Sequence, residues 1–544
     1  MAHKEVVENF QGLIAALDPR SSSKREEEVV VPEVVFSGQV DERWSLYEQG
    51  KHLGPLRFSN GKTQADVVAE AVQAIRSGTK IVFIHGVCGT GKSAIALNIA
   101  RQLGRASIVV PVKTLQRQYE EDYMGKKHVL KPNGHKLKIA MITGRENHDS
   151  VIEPGLSCAD PTLPDTIRLT EKNWTHLQEY YNQNPYIKHK GDLSLKNLRR
   201  ISIAPANPYW SPIVPVHFEL EMPDARKRRY VGLDGSEFIF YQRKKGCGYY
   251  DQYNAYLDAD VIMFNAAKYK IETLNNKKPA TDVEIIDEAD EFLDNLTEQQ
   301  TLNISRLANS LNYLAPINEK TEDALEAIRE AIKIEEKRVG ALGFNEKEIT
   351  PVRETKVGII LKNLAENPAL QDEAGLDETS YVAQALEVAR SFAPFVDETF
   401  LTYKKYEDDL VVELVTTNIS KRFAEIVRKN KALVLMSGTL HSPEVLRDIF
   451  GIKNFVIIEA ETKAPGTIEI IRTGHEMDCR YSNLSSKKDS RALYLRALGA
   501  CWAKAPRPLL VHVNAFEDLP TMEETYQYEL THVMPREQLK ELQF

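Results

Sequence analysis

Short apolar runs alternate with stretches whose apolar residues recur every three to four positions over much of the chain between residues 65 and 463. The first pattern is that of a strand covered on both faces, the second that of a helix with one buried side. Residues 65–75 have the helical spacing and are stopped by Gly78; the run Ile-Val-Phe-Ile at 81–84 predicts a buried strand, 93–103 a helix, and Ser-Ile-Val-Val at 107–110 a second strand. Strands joined through a helix must run parallel, so the chain predicts an α/β core, and the runs at 260–264, 283–286 and 432–436 extend the same sheet.

Two stretches interrupt that rhythm. Residues 144–250 carry many Pro, Asn and aromatic residues, and residues 296–424 are strongly charged with mainly helical periodicity. The first core domain is therefore assembled from 51–143, 251–295 and 425–463, with 144–250 and 296–424 as insertions. Residues 1–50 form an N-terminal extension with a Ser-rich, charged break at 21–28, and a further α/β portion spans 464–544, with strands at 468–471 and 509–513. No internal repeat is seen.

At 544 residues the chain exceeds one compact core, and 42% hydrophobic with 27% charged residues is an ordinary globular mixture. No apolar run is long enough to span a bilayer and the first residues lack the core of a signal peptide, so a cytoplasmic protein without membrane contact is expected. Five scattered cysteines, an odd number, argue against a disulfide framework. A net charge of −8 offers nucleic acid no general attraction, so any such site must be local.

The chemistry starts at Gly86-Val87-Cys88-Gly89-Thr90-Gly91-Lys92-Ser93, which fits G-x-x-x-x-G-K-[ST] between a predicted strand and a predicted helix. Gly86, Gly89, Thr90 and Gly91 would close backbone N–H groups around phosphate oxygens at a helix N-terminus. Lys92 would reach the terminal phosphates of ATP and Ser93 would hold Mg²⁺. Asp287-Glu288-Ala289-Asp290 ends another predicted strand, at the edge where open α/β sheets bind ligands. Asp287 would share the Mg²⁺ with Ser93, and Glu288 would orient or deprotonate the attacking water, so Lys92, Asp287 and Glu288 are the candidate catalytic residues.

The order of these two motifs with Val112-Lys113-Thr114-Leu115-Gln116-Arg117-Gln118 between them and Ser437-Gly438-Thr439-Leu440-His441-Ser442-Pro443 after them resembles the XPD/DinG (Rad3-like) helicases of superfamily 2. Phe264-Asn265-Ala266-Ala267-Lys268-Tyr269 is similar to that family's segment before the acidic motif, and Gln64 stands where those helicases have an adenine-reading glutamine. The resemblance implies two RecA-like motor domains, an iron–sulfur insertion at 144–250 and a helical arch at 296–424. It implies ATP hydrolysis coupled to 5′ to 3′ movement on single-stranded DNA and unwinding of forked duplex, with repair or replication proteins as the class of partner. Lys113, Thr114, Gln118 and Arg145 are the strand-contacting residues it implies. Backbone and stacking contacts are shared by DNA and RNA, so those residues do not choose between them.

Two departures alter that expectation. The family holds its cluster with four cysteines, whereas only Cys158 and Cys247 lie between the phosphate loop and the acidic motif, so no intact [4Fe-4S] cluster is expected. Residual ligation by these two thiolates with His148 and Asp165 is the alternative to plain packing. The segment 509–516 resembles the opening of the second motor domain, only 28 residues follow Phe516, and none resembles the family's Gln-x-x-Gly-Arg-x-x-Arg arginine-finger motif. The expectation is a truncated second domain with impaired hydrolysis; the rival reading is a catalytically weak, nucleotide-gated single-stranded DNA-binding protein. A local cationic and aromatic window runs from Tyr186 to Lys245 and includes Arg226, Lys227, Arg228, Arg229, Arg243 and Lys244, the mixture that binds single strands without sequence preference. A solvated basic face over an aromatic core fits that window equally well.

Overall fold

The computed structural model describes residues 40–541 apart from 189, 192–197, 297–298, 313, 315–318, 343–344, 369, 372–379, 408, 417, 464–468, 471, 473, 475, 481–482, 485–489, 507–508, 514 and 531–532. The Ser-rich segment 21–28 and most of the predicted extension lie outside them. Two compact units divide at Ala464.

The first unit is built on a seven-stranded sheet of β1 (Ile81–His85), β2 (Ala106–Val110), β3 (Ile139–Ile142), β4 (Val261–Asn265), β5 (Val283–Asp287), β6 (Leu433–Ser437) and β7 (Val456–Glu459). The strands are in the order β7-β1-β6-β5-β2-β4-β3, and every pairing is parallel. The five strands predicted from apolar runs are all present. Residue parity assigns their two faces: Val82, Ile84, Ile108 and Val434 pack under α1 (Gln64–Arg76) and α2 (Lys92–Leu103), while Phe83, Val109, Ile286 and Leu435 pack against Trp210, Tyr241, Tyr256 and Phe423. Burial on both faces explains why the runs are continuous rather than alternating. Helix α1 starts at a capping box in which Thr63 and Asp66 satisfy each other's backbone N–H groups. Residues 40–53 already belong to this unit: Trp44 is buried, its indole N–H donates to the Leu53 carbonyl at 2.9 Å, and Tyr47–Glu48 pairs with both Lys51–His52 and Lys127–His128.

Between β3 and β4 the chain forms short helices and an antiparallel sheet of Ile213–Pro215, Glu237–Gln242 and Arg226–Val231. Helix α3 (Lys113–Tyr119) follows β2, and between β5 and β6 the chain forms a helical body that includes Ile304–Leu311, Glu319–Leu342, Val357–Glu366 and Tyr381–Phe392. The mainly helical expectation for 296–424 is incomplete, because this body also holds a four-stranded antiparallel sheet of Gln299–Asn303, Asp409–Thr416, Thr399–Tyr406 and Thr350–Pro351. Buried Leu401, Tyr403, Leu410, Val412 and Leu414 carry the period-two signal, broken by charged residues at the hairpin tip.

In the second unit the described residues form helices Ser490–Lys504, Met522–Gln527 and Arg536–Glu541, with Arg491 paired to Glu524 at 2.8 Å. Residues 509–513 are not a strand there, contrary to the apolar pattern: they have no ladder partner among the described residues, and Leu510 is 78% exposed. Of the predicted strand 468–471, positions 468 and 471 fall outside the described residues and 469–470 are irregular.

Candidate nucleotide and nucleic-acid site

Parallel register brings three strand ends level. His85 of β1 lies beside Ser437 of β6, and Met436 of β6 lies beside Asp287 of β5. The segments that follow these strands therefore meet at one edge of the sheet. After β1 the chain turns through Gly89 (φ +87°) and Gly91 (φ +73°), left-handed positions suited to residues without a side chain, and enters α2 at Lys92. The N–H groups of Gly89, Gly91, Lys92 and Ser93 find no partner among the described residues, which leaves a row of donors at a helix N-terminus, where an anion is favoured.

Lys92 sits in this mouth with its side chain 9% exposed, its ammonium 3.3 Å from the Gly86 carbonyl and 3.4 Å from Glu288 Oε1. Both separations are long for a cation's partners, so the ammonium is available to a stronger anion. Asp287 is buried at the end of β5, and burial raises its carboxyl pKa against the opposing pull of Lys92. The Tyr119 hydroxyl donates to Asp287 Oδ2 at 3.1 Å, and burial pushes its pKa well up while the nearby Ser93 side chain pulls it the other way. Glu288 adopts φ +50°, a strained conformation for a glutamate, which turns its carboxylate toward Lys92. A buried oxygen of Asp290 has no hydrogen-bond partner among the described residues. These residues fit a metal-bound nucleotide in kind: unmet N–H donors and a cation face a buried carboxylate and a serine hydroxyl.

The segment after β6 closes over the loop. The Ser437 carbonyl accepts the Gly86 N–H at 3.0 Å, and a Cβ on Gly438 would lie 3.5 Å from the Gly86 carbonyl oxygen. Farther along, His441 pairs with Asp294 at 3.0 Å, on the helix that follows Glu288. On the other side of the loop Glu461 accepts from the Ser59 N–H and hydroxyl, both at 2.6 Å, while its carbonyl accepts from Val87.

The remaining candidates are placed as follows. Gln64 is 3% exposed, donates through Nε2 to the Thr90 carbonyl and accepts from the Leu56 N–H, each at 2.9 Å, so its amide braces the phosphate loop. Lys113, Thr114 and Gln118 share the exposed side of α3, whereas Gln116 and Tyr119 face inward. Arg145 is elsewhere engaged: it bonds Asp165 at 2.9 Å and lies 4.3 Å over the Tyr249 ring. Arg243 is likewise internal, bonded to Asp224 and to the carbonyls of Asn207 and Pro205, while Lys244 lies exposed over Tyr209. The basic and aromatic window is thus partly core and partly surface.

Cys158 and Cys247 are buried with Sγ atoms 3.7 Å apart. The Cys158 thiol bonded to it, helped by the N–H groups of Tyr250 and Tyr249, brings the Cys247 thiol down to about 7, while the same contact pushes Cys158 up. Asp165 is taken by Arg145, Tyr250 and Asn207, and the His148 ring by Thr143. Among the described residues no three His, Cys, Asp or Glu are grouped to hold a metal ion.

Tyr119 was not singled out by motif reasoning. Its signal is its spacing, three residues after the inward-facing Gln116.

Residues 58–179, which contain the phosphate loop and α3, match the family model "Type III restriction enzyme, res subunit". The first unit has a RecA-like α/β fold on its seven-stranded parallel sheet. Among solved structures the chain is similar to an XPD helicase (14% identity, TM-score 0.35, covering 73% of this chain and 62% of that one). It is also similar to a truncated XPD (14%, 0.33, 72% and 98%) and to Xpd4 of S. tokodaii (14%, 0.36, 86% and 73%). The chain thus spans less than two thirds of the first of these. No curated protein matches it. Each of these structures is an XPD protein, and they are what the chain resembles. No helix among the described residues is long and apolar enough to cross a membrane.

Proposed function

We propose that the chain is the motor of an ATP-driven helicase that moves 5′ to 3′ along single-stranded DNA and opens forked duplex. The observation that carries this reading is the meeting of Lys92, Glu288 and Asp287 beneath the unmet N–H groups of the phosphate loop. In this reading the loop N–H groups and Lys92 bind the triphosphate, and Ser93 with Asp287 holds Mg²⁺. The metal ion neutralises charge on the phosphate oxygens when bound. Glu288, held at its strained φ, orients the attacking water and takes up its proton. Buried Asp287 keeps its carboxylate dry, where its charge acts most strongly. Lys113, Thr114 and Gln118 offer the strand an exposed row of a cation and hydrogen-bonding side chains on one short helix.

The test is titration of Lys92→Ala with a fluorescent ATP analogue and Mg²⁺. Affinity should fall by at least tenfold while the protein stays folded by circular dichroism. Unchanged affinity in folded protein would overturn the assignment of the loop.

A further inference from the structure

Helix α3 touches both halves of the proposed machine. Its outer side presents Lys113, Thr114 and Gln118 to solvent. On its inner side, Gln116 Nε2 bonds the carbonyls of Ile142 and Met263 at 3.2 and 3.3 Å, which seats the helix on the ends of β3 and β4. Three residues on, Tyr119 is 2% exposed and donates to Asp287 Oδ2 at 3.1 Å, with the Ser93 side chain near the same phenol. The hydroxyl therefore lies between the serine and the carboxylate read above as the metal-holding pair. Directly after Tyr119 the helix loosens into a π-helical stretch, Glu120–Lys126, a wider turn that accommodates local shifts more readily than a regular α-helix.

We infer that Tyr119 is a positioning residue that links a nucleic-acid strand on the outer side of α3 to the orientation of Asp287 and Ser93. The inference rests on the proposed reading of those two residues. Lys113 is held in the free protein by Glu146 at 3.0 Å and Asn147 at 3.2 Å. A strand phosphate competes with Glu146 for that ammonium and so pulls on the first turn of α3. The last residue of the same helix transmits any resulting shift to Asp287 through one hydrogen bond. No other contact is required between strand and metal-holding groups, because a single helix of seven residues carries both ends of the link. Reciprocity follows: if strand alters nucleotide affinity by some factor, nucleotide must alter strand affinity by the same factor.

The test uses the full chain and Tyr119→Phe, which keeps the ring and removes the hydroxyl. Affinity for a fluorescent ATP analogue with Mg²⁺ is measured with and without saturating single-stranded oligothymidine. Affinity for the oligothymidine is then measured with and without the nucleotide. The wild type should show a linkage factor of about fivefold or more in both directions. Tyr119→Phe should bind nucleotide alone within about threefold of wild type while its linkage factor falls close to one. A purely structural tyrosine would change the melting temperature and leave the linkage intact, and that result overturns the inference, as does a wild type with no linkage. Lys113→Ala, at an exposed position, should weaken the linkage; intact linkage there also overturns the inference. Lys92→Ala separates the two levels. Full nucleotide binding by that variant refutes the nucleotide-site reading itself, whereas lost binding there with intact linkage in Tyr119→Phe refutes only the role given to Tyr119.

Discussion

Substituting Gly91 by alanine probes the phosphate loop where its backbone and the bracing glutamine meet. At φ +73° an alanine pays the left-handed penalty, about 1–2 kcal/mol. Its Cβ would also fall 2.3 Å from Gln64 Nε2, so the Gln64 amide must leave. That departure breaks the bonds to the Thr90 carbonyl and from the Leu56 N–H, each contributing about 0.5–1.5 kcal/mol net, with Leu56 the smaller because it is exposed. Gly91→Ala should therefore cost roughly 2–4 kcal/mol in all. In a Gln64→Ala background the clash is absent and only the backbone part remains, about 1–2 kcal/mol. The four proteins of this cycle are compared by urea unfolding, and by titration with the ATP analogue, which Gly91→Ala should weaken by at least tenfold. A coupling of about 1–2 kcal/mol is expected. If Gly91→Ala costs the same in both backgrounds, the contact between the glutamine and the loop is not what constrains this glycine.

Lys278 and Glu284 form a fully buried pair at 2.8 Å, with Ser107, Thr281 and the Pro279 carbonyl completing the ammonium's partners. Lys278→Met should destabilise by about 3–5 kcal/mol in urea unfolding because it strands the carboxylate, and Lys278→Met with Glu284→Leu should recover most of that loss; no recovery would refute the explanation. Cys158 and Cys247 should close to a disulfide when the protein is incubated with oxidised glutathione, one thiolate displacing a glutathione thiol and the second thiol resolving the mixed disulfide. Peptide mapping without reduction should find 158 linked to 247 despite the greater exposure of Cys88 and Cys501, and failure to find that link refutes their juxtaposition.

Apolar runs and their punctuation made much of the core legible, because strands buried on both faces leave a dense local signal at 81–84, 107–110 and 283–286. The phosphate loop and the acidic motif were readable for a related reason: their chemistry depends on neighbours in sequence. Where partners are distant, spacing failed. Nothing local distinguishes an arginine that meets a strand from Arg145 or Arg243, whose carboxylate partners Asp165 and Asp224 lie about 20 residues away. Strands β3 and β7 were missed; they are the two edges of the sheet and only partly buried, so they lack the dense signal of the central strands. The hairpin of Thr399–Tyr406 and Asp409–Thr416 was hidden by the charged helical stretches around it. At 509–513 the apolar run was present but no pairing strand lies among the described residues, and a strand is stable only with its neighbour.

The two bodies inserted into the sheet differ in how far the sheet depends on them for cover. The body between β5 and β6 has its own closed core, from Leu302 to Leu414, and it departs from and rejoins neighbouring strands. Its core is separate from the two that cover the faces of the sheet. The body between β3 and β4 contributes Trp210, Tyr241 and Tyr249 to the same core as Phe83, Ile286 and Leu435. It is part of the sheet unit's own interior, so removing it would uncover one face of the sheet.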